Sequence, residues 1–435
     1  MYNSMGQYYL PLREFLNTVP VIETHEHYTG IVKPVENILA FISGDYYSSD
    51  FIATSNQAEE AYKIISDTSI SFDERYAVFE KYYEKSCMTA YARGMRSGLK
   101  ECWGVESIDK ASIQALEEKF KHRNQDFYFR VMNKLGIKAK IVDTMESDIE
   151  SFVNGENNDY TNLCRFAFPL PQYHDMTHVN TIPRLEKYIG RRITSLDDYL
   201  EGFEKYFKKC VDFGIKCIKD QTAYRRSIYY TYPSRSEAEK VFNKIMIKPR
   251  DAIGSDELNV LDDWLFHYFM KIAQKYNLPV QLHTGHMAGI RNDIVKANAA
   301  NLIPVLELHK DVVFDLFHGN WPYMGELLFL GKNYPNVWID LCWLHCLDPL
   351  YAIELMKRLI LTVPHAKVMA FGGDTSEPEW TAGYLDMARN NMAFALSDLI
   401  DHQWIDLDEA KSIAVDWLFN NPNEFFKLGF SRIND

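Results

Sequence analysis

Residues 21–28 read VIETHEHY, two apolar side chains followed by an alternation of acidic and histidine side chains. Side chains alternate between the two faces of a β-strand, so Glu23, His25 and His27 share one face. Two imidazoles at positions i and i+2 can bind one divalent cation, because neutral imidazole suits Zn²⁺ and its neighbours. The alternative is a pair of hydrogen-bonded polar core residues. The stretch therefore predicts a strand whose end carries candidate metal ligands.

Further short apolar runs follow along the chain, and longer segments with helical periodicity separate them. The predicted strands are 21–28, 139–145, 163–170, 214–220, 279–285, 312–319, 337–343 and 367–374. Alternation of strands and helices indicates parallel βαβ units. Eight such units favour an α/β fold closed into a (β/α)₈ TIM barrel, with an open doubly wound sheet as the alternative.

A long helical segment, residues 31–138, separates the first two predicted strands. A structureless connection of that length is uncommon in a compact domain. Its periodicity predicts helices over 35–42, 58–65, 72–90 and 108–130. We expect residues 1–30 and 139–435 to form the barrel and 31–138 to form a helical insertion that acts as a lid over its C-terminal face. A bundle packed to the side is the alternative. The aromatic side chains near its start are candidates to face the pocket: Phe41, Tyr46, Tyr47 and Phe51.

Polar side chains recur at the ends of the later strands, where a barrel of this kind builds its active site. His283 lies at the end of the fifth predicted strand, His318 at the end of the sixth, and Asp374 at the end of the eighth. A single histidine at a strand end is more often a hydrogen-bonded structural residue. Several strand ends that converge on histidine or aspartate are harder to explain by packing, which favours Val, Ile or Leu there.

Other polar side chains near strand ends are candidates to bind a substrate. Lys219 lies on the inward face of the fourth predicted strand and could bind a carboxylate, or bridge two metals once carbamylated; a surface lysine is the alternative. Arg225, His286 and Arg291 follow strand ends and are candidate pocket residues, although a solvated side chain is an equally good interpretation of each. Asp340 ends no predicted strand and is taken to lie outside the site.

The strand ends resemble those of the amidohydrolase superfamily in identity and in order along the chain: His25-x-His27, His283, His318 and Asp374. Four stretches are similar to the amidohydrolase-type domain that is joined to glutamine-synthetase-like proteins in plants and fungi: KDQTAYRR (219–226), LPVQLHTGH (278–286), FDLFHGNWPYMGELLFLGKNYPNVWIDL (314–341) and FGGDTSEPEW (371–380). The long helical segment after the first strand is similar to that of the uronate isomerases. Glu23 departs from the pattern, since the family usually has Asp before H-x-H.

The resemblance implies a (β/α)₈ barrel with a divalent metal, Zn²⁺ first and Mn²⁺ second. It implies His25, His27, His283 and Asp374 as ligands, with Asp374 and His318 as catalytic residues. The function expected is a metal-dependent hydrolase that acts on a small carboxylated substrate through a metal-activated water. Uronate isomerase-like or decarboxylase activity on the same site is the alternative, and a non-catalytic metal-bound module is disfavoured. Lys219, Arg225, His286 and Arg291 are the expected substrate-binding residues.

Composition limits the partners. The formal net charge of −13 disfavours binding to nucleic acid, because the protein's field repels phosphate backbones. No stretch of the sequence reads as a membrane span or a signal peptide, and the seven cysteines are scattered without C-x-x-C pairs, as in a reduced compartment. We therefore expect a cytoplasmic enzyme with a small-molecule substrate and with homo-oligomers as a further option.

Overall fold

The computed structural model describes residues 6–145, 149–175, 181–248 and 252–433. Residues 1–5 belong to the segment in which no signal peptide is predicted, and they lie outside the described residues. The described strands are β1 Val21–Glu26, β2 Ile137–Val142, β3 Cys164–Pro169, β4 Cys217–Asp220, β5 Val280–Leu282, β6 Phe314–Leu316, β7 Val337–Asp340 and β8 Val368–Met369.

Each strand pairs in parallel with the next one along the chain. The strand order is therefore β1 to β8 without reversal, which confirms the (β/α)₈ prediction and rejects the open doubly wound sheet. Backbone hydrogen bonds between β1 and the segment after β8 bring the last strand back to the first. Thr24 N donates to Phe371 O at 3.0 Å, and Asp374 N donates to His25 O at 3.1 Å.

Helices cover the outside of the barrel. Apart from the insertion, the described helices are α1 Tyr9–Thr18, α9 Glu150–Val153, α10 Pro171–His174, α11 Thr181–Ile189, α12 Leu196–Phe213, α13 Arg235–Ile245, α14 Ser255–Tyr276, α15 Ile303–Leu308, α16 Met324–Asn333, α17 Leu344–Leu347, α18 Pro349–Thr362, α19 Pro378–Asp401, α20 Leu407–Val415 and α21 Asn421–Phe425. Every helix in these described ranges is too short or too polar to span a bilayer.

The insertion contains α2 Ile38–Ile42, α3 Tyr47–Ala53, α4 Ala58–Ser66, α5 Phe72–Ser86, α6 Ala90–Trp103, α7 Lys110–Phe120 and α8 Gln125–Leu135. Two of the predicted helices are divided differently in the structure. Helix α5 ends before Thr89, whose side chain caps the separate helix α6. The predicted helix 108–130 breaks at Asn124, whose side chain accepts from Phe127 N at 3.0 Å and starts α8.

The insertion packs closely against α19, the helix that follows β8. A Cβ atom built on Gly98 would lie 2.0 Å from the backbone oxygen of Glu379, and one built on Gly383 would lie 2.0 Å from Gly94 O. The backbones of α6 and α19 are therefore in contact. The fully buried Arg123 adds an ion pair to Glu379 at 3.1 Å. The insertion therefore packs against α19, and Tyr91 of α6 also stacks on Trp343 after β7.

The barrel interior changes from apolar to polar along its axis. At the N-terminal end, inward side chains of β2, β3, β4 and β8 form an apolar layer that α21 closes: Ile141, Ala167, Cys217 and Met369, with Phe425 and Phe426. Above it, Gln281 donates to Asp315 Oδ2 at 3.1 Å, and both are fully buried. This gradient leads from a packed floor toward the polar strand ends.

Candidate active site

Five side chains meet at the C-terminal end of the barrel. Nε2 of His27 lies 2.9 Å and Nε2 of His25 lies 3.4 Å from Asp374 Oδ1. Nε2 of His318 lies 3.8 Å from Asp374 Oδ2 and 3.2 Å from Nδ1 of His283. The structure therefore brings together the four predicted ligands and the predicted catalytic histidine. These residues lie on or directly after four separate strands, β1, β5, β6 and β8.

The backbone around Asp374 allows this convergence. A Cβ atom on Gly373 would lie 2.7 Å from Oε1 of Glu23, so only glycine lets this segment pass so close to β1. Gly373 N donates to that same oxygen at 3.1 Å. Glu23, which departs from the expected aspartate, thus anchors the residue before Asp374. Asp374 itself has φ 54°, and His318 has φ 60°, both in the left-handed region.

Backbone carbonyls fix the orientation of three histidine rings. His27 Nδ1 lies 2.9 Å from Asp143 O, His283 Nε2 lies 2.7 Å from His286 O, and His318 Nδ1 lies 3.0 Å from Cys342 O. A carbonyl oxygen only accepts, so each of these nitrogens carries the proton. In the neutral rings of His283 and His318, the other nitrogen presents a lone pair to the centre of the cluster, whereas Nε2 of His27 faces the Asp374 carboxylate.

These lone pairs create a demand for a cation. Nδ1 of His283 faces Nε2 of His318 at 3.2 Å. Two acceptors this close repel each other unless a proton or a metal ion lies between them. Nε2 of His27 holds a proton against the Asp374 carboxylate at 2.9 Å, and a metal ion would take the place of that proton. Ligand atoms about 2.1 Å from a tetrahedral ion lie roughly 3.4 Å apart, close to the distances that join Asp374 to His25 and His27 and His318 to His283. The residues present therefore fit a divalent metal.

Two further potential ligands, Asp143 and Cys342, lie close to the predicted ones. Potential ligand atoms of His25, His27 and Asp143 lie within 4.8 Å of one another, as do those of His318, Cys342 and Asp374. Asp143 follows β2 and Cys342 follows β7, so the rule of polar strand ends could have identified both. Sequence reasoning did not single out either residue.

Electrostatics separates the histidines into two kinds. Burial lowers the pKa of His27, but the hydrogen bond and the charge of Asp374 outweigh burial and raise this pKa to about 9. Burial lowers the pKa of His318 to about 3, and Asp374 offsets this only in part. Burial and the neighbouring His318 hold the pKa of His283 well below its usual value. His318 and His283 are therefore neutral near pH 7 and able to bind a metal.

A cavity of about 420 Å³ opens onto the cluster. It is lined by His25, His27, Tyr46, Met145, Pro169, Pro171, Gln172, Lys219, Gln221, Thr222, Tyr224, Arg225, His283, Ala288 and Asp374. Lys219 is buried, and its Nζ lies 4.0 Å from the centre of the Phe317 ring. Arg225 is about one-third exposed and forms an ion pair with Asp175. The cavity thus carries two cations beside the histidine cluster.

The other two predicted substrate-binding residues do not line this cavity. The backbone oxygen of His286 holds His283, and its ring packs against Trp343 at 4.8 Å between ring centres. Arg291 is exposed and lines a separate pocket of about 250 Å³ with Ile52 and Glu59 of the insertion. The loop after β5 therefore contributes a carbonyl group to the site rather than a second arginine.

The first part of the insertion reaches the site through Tyr46. Its side chain lines the cavity, and its hydroxyl donates to the backbone oxygen of Asp374. The other three aromatic residues named above pack within the insertion or against α19: Phe41 on Trp380, Tyr47 near Tyr83, and Phe51 on Tyr82.

Asp340 ends β7, contrary to the expectation that it ends no strand. The predicted strand 337–343 ran three residues past the observed end. Asp340 is fully buried in the polar interior below the site. Its Oδ1 accepts from Cys342 N at 2.7 Å, and burial raises its pKa to about 7.

Comparison with known proteins assigns the chain to a family. A family model described as Amidohydrolase matches residues 245–424. The chain is 27% identical to protein fluG of Emericella nidulans over 96% of its own length and 47% of that protein. Both matches support the prediction of an amidohydrolase-superfamily protein. The chain spans about half the length of this relative.

Solved uronate isomerases share the fold of this chain. The uronate isomerase of Thermotoga maritima is 20% identical over 55% of this chain and 56% of its own length. The crystal structure of the Thermotoga maritima uronate isomerase covers 98% of this chain and 100% of its own, with a TM-score of 0.79 at 14% identity. The structure of the glucuronate isomerase of Caulobacter crescentus covers 98% of this chain and 94% of its own, with a TM-score of 0.77 at 16% identity. At these identities the structural likeness shows the fold alone.

Proposed function

We propose that the chain is a metal-dependent hydrolase that cleaves a small carboxylated substrate by attack of an activated water. The observation that carries this proposal is the set of converging lone pairs beside a cavity with two cations. His25, His27, His283 and Asp374 would hold a divalent cation, Zn²⁺ first and Mn²⁺ second. Such an ion would lower the pKa of a bound water toward about 7 and polarise a substrate carbonyl.

Asp374 and His318 are the groups that would move protons. The Asp374 carboxylate borders the cavity and can take a proton from the attacking water and return it to the leaving group. Nδ1 of His318 donates to Cys342 O, so Nε2 of the neutral ring accepts a proton rather than donating one. We therefore assign His318 to hydrogen-bond acceptance from the attacking water, beside Asp374.

Lys219 would bind the substrate carboxylate. It is buried at the cavity wall, where a carboxylate partner would neutralise its charge. Arg225 is already paired with Asp175, so it serves better at the cavity entrance than as the main anchor. Tyr46 covers the centre and would limit the access of bulk water.

The walls of the cavity favour a hydrolase substrate over a sugar acid. Met145, Pro169, Pro171 and Ala288 contribute apolar surface to them, and Gln172, Gln221 and Thr222 contribute polar side chains. A uronate carries a hydroxyl on nearly every carbon, and each would need a hydrogen-bond partner once buried. A substrate with an apolar portion beside its carboxylate suits these walls better. An isomerase of sugar acids is nevertheless the second candidate, because the uronate isomerase fold covers nearly the whole chain, including the insertion.

A substrate panel separates these functions. Metal-loaded protein is incubated with N-acyl amino acids, lactones with a free carboxylate, uronates and aromatic carboxylic acids. We expect hydrolysis of an amide or lactone, and Lys219→Gln should raise KM at least about tenfold with a smaller effect on kcat. Conversion of a uronate to its ketose would contradict the hydrolase assignment and indicate an isomerase. Release of CO₂ would indicate a decarboxylase. Unchanged metal content in Lys219→Gln is expected of a mononuclear centre, and loss of one of two ions would indicate a carbamate bridge.

A further inference from the structure

We propose that Asp45 and Tyr46 are positioning residues for Asp374, so that the insertion braces the reacting carboxylate instead of only covering it. This inference rests on the proposed function in one respect, the role of Asp374 at the metal. It concerns the junction between α2 and α3, where the insertion touches the segment after β8.

Two consecutive residues of the insertion bind two consecutive residues of that segment. The Tyr46 hydroxyl donates to Asp374 O, and Oδ2 of Asp45 accepts from the Thr375 hydroxyl at 2.8 Å. Oδ2 of Asp45 also accepts from the Tyr384 hydroxyl at 3.2 Å. Since Tyr384 belongs to α19, the Asp45 carboxylate joins the insertion to both the loop and the helix that follow β8.

Asp374 needs such support because its backbone conformation is unfavourable. Its φ of 54° lies in the left-handed region, which is strained for a residue other than glycine. Such a conformation persists only where the surroundings fix it. From the barrel side, His25 O accepts from Asp374 N at 3.1 Å. From the insertion side, Tyr46 holds the carbonyl group of the same residue. Without Tyr46, the peptide after Asp374 could rotate and move the carboxylate away from His25 and His27.

Neighbouring side chains hold Asp45 and Tyr46 in place. The Tyr46 ring packs on the Trp343 ring with 4.1 Å between centres, and Trp343 packs on the ring of His318 at 5.0 Å. The helix before this junction is fixed by Asn37, which caps it and accepts from Arg75 Nη1 at 2.7 Å. Contact between α6 and α19 fixes the rest of the insertion. A hinged cover would lack these contacts.

The test compares Tyr46→Phe and Thr375→Val with the matched control Tyr47→Phe. The control removes a buried hydrogen bond of 2.7 Å to Ser86 within the insertion, next to the brace in sequence but away from Asp374. Zn²⁺ affinity is measured by chelator competition, along with Tm, kcat and KM. Tyr46→Phe and Thr375→Val should weaken Zn²⁺ binding about tenfold or more, the usual effect of losing such a supporting partner. They should lower kcat more than they raise KM, and Thr375→Ser should restore both.

Tyr47→Phe should leave Zn²⁺ affinity and kcat unchanged even where its Tm falls as far as that of Tyr46→Phe. Zn²⁺ affinity within twofold of the parent protein in both Tyr46→Phe and Thr375→Val would contradict the proposal that Asp45 and Tyr46 position Asp374. Equal weakening in Tyr47→Phe would also overturn it, since the effect would then be general loss of stability. Failure of the hydrolase assignment gives a different result, because Zn²⁺ affinity would still fall in the brace variants while no amide or lactone is cleaved.

Discussion

Asp374 combines burial with a carboxylate that remains ionised. Burial raises its pKa, but the hydrogen bond from His27 and the charges of His25, His27 and His318 outweigh burial and hold the pKa well below the usual value. An ionised carboxylate at the centre of this cluster is a strong cation ligand. We therefore expect the chemistry of the site to depend on this residue more than on any single histidine.

Asp374→Asn should reduce turnover by a factor of about 10²–10⁴ or more, the usual contribution of a general acid–base group. The amide keeps the volume and one coordinating oxygen but cannot accept a proton near neutral pH. Turnover is measured with metal in excess, because metal affinity should fall as well.

Asp212→Asn on α12 is the matched control for this substitution. Asp212 is about two-thirds exposed and pairs with Lys208, far from the strand ends in the fold. Its turnover should equal that of the parent protein. Should Asp374→Asn retain near-normal turnover with saturating metal, Asp374 is not the proton acceptor, and that role passes to His318.

At the level of elements, the contact between α6 and α19 determines where the insertion sits. Gly98→Ala would place a methyl group 2.0 Å from Glu379 O, so the two helices must separate. Overpacking of this kind typically costs about 1–3 kcal/mol. Urea denaturation should therefore show a lower midpoint for Gly98→Ala.

Gly325→Ala in α16 provides the comparison, since nothing lies within 4 Å of the added methyl group. This variant should be as stable as the parent protein or slightly more stable, because alanine favours helix. Equal stability of Gly98→Ala and Gly325→Ala would mean that the two helices are not in tight contact.

The barrel and its histidine cluster could be predicted from sequence because both follow local rules. Parallel strands end on one face, so His25, His283 and Asp374 had to lie near one another once the strands were recognised. The contact of Tyr46 with Asp374 follows no local rule, since 328 residues separate the partners and the insertion must first dock on α19.

Loops after the strands were the least predictable part of the site. His286 was expected to offer its side chain, but the chain turns so that its backbone oxygen holds His283 instead. Arg291 follows the same strand, yet its left-handed backbone with φ 61° lies in a loop that carries the side chain to another pocket. Backbone direction in such turns depends on contacts that no periodicity records.

At the scale of the whole molecule, buried neutral histidines outside the site should make the fold sensitive to acid. His345 donates from Nε2 to Ala370 O at 2.8 Å, and burial lowers its pKa to about 4. The unfolded chain binds this proton near pH 6.5. The contribution of His345 to stability is therefore complete above about pH 6.5 and is lost as the pH falls toward about 4.

His345→Gln should weaken this dependence, because glutamine can donate to the same carbonyl without titrating. Tm is measured from pH 7.5 to pH 4.5. The parent protein should lose more Tm over this range than His345→Gln, whereas His402→Gln, at an exposed position, should behave like the parent. Identical slopes for the parent and His345→Gln would show that His345 is not held neutral in the fold.

The central claim is that the converging histidines and Asp374 form a cation site, and metal content tests it most directly. The parent protein and the His25→Ala/His27→Ala variant are each loaded with Zn²⁺, desalted and analysed for bound metal, with circular dichroism to confirm that both are folded. The parent should retain about one equivalent of a divalent metal, as a mononuclear site requires, and the variant should retain almost none. Equal metal content in the two folded proteins would contradict the account.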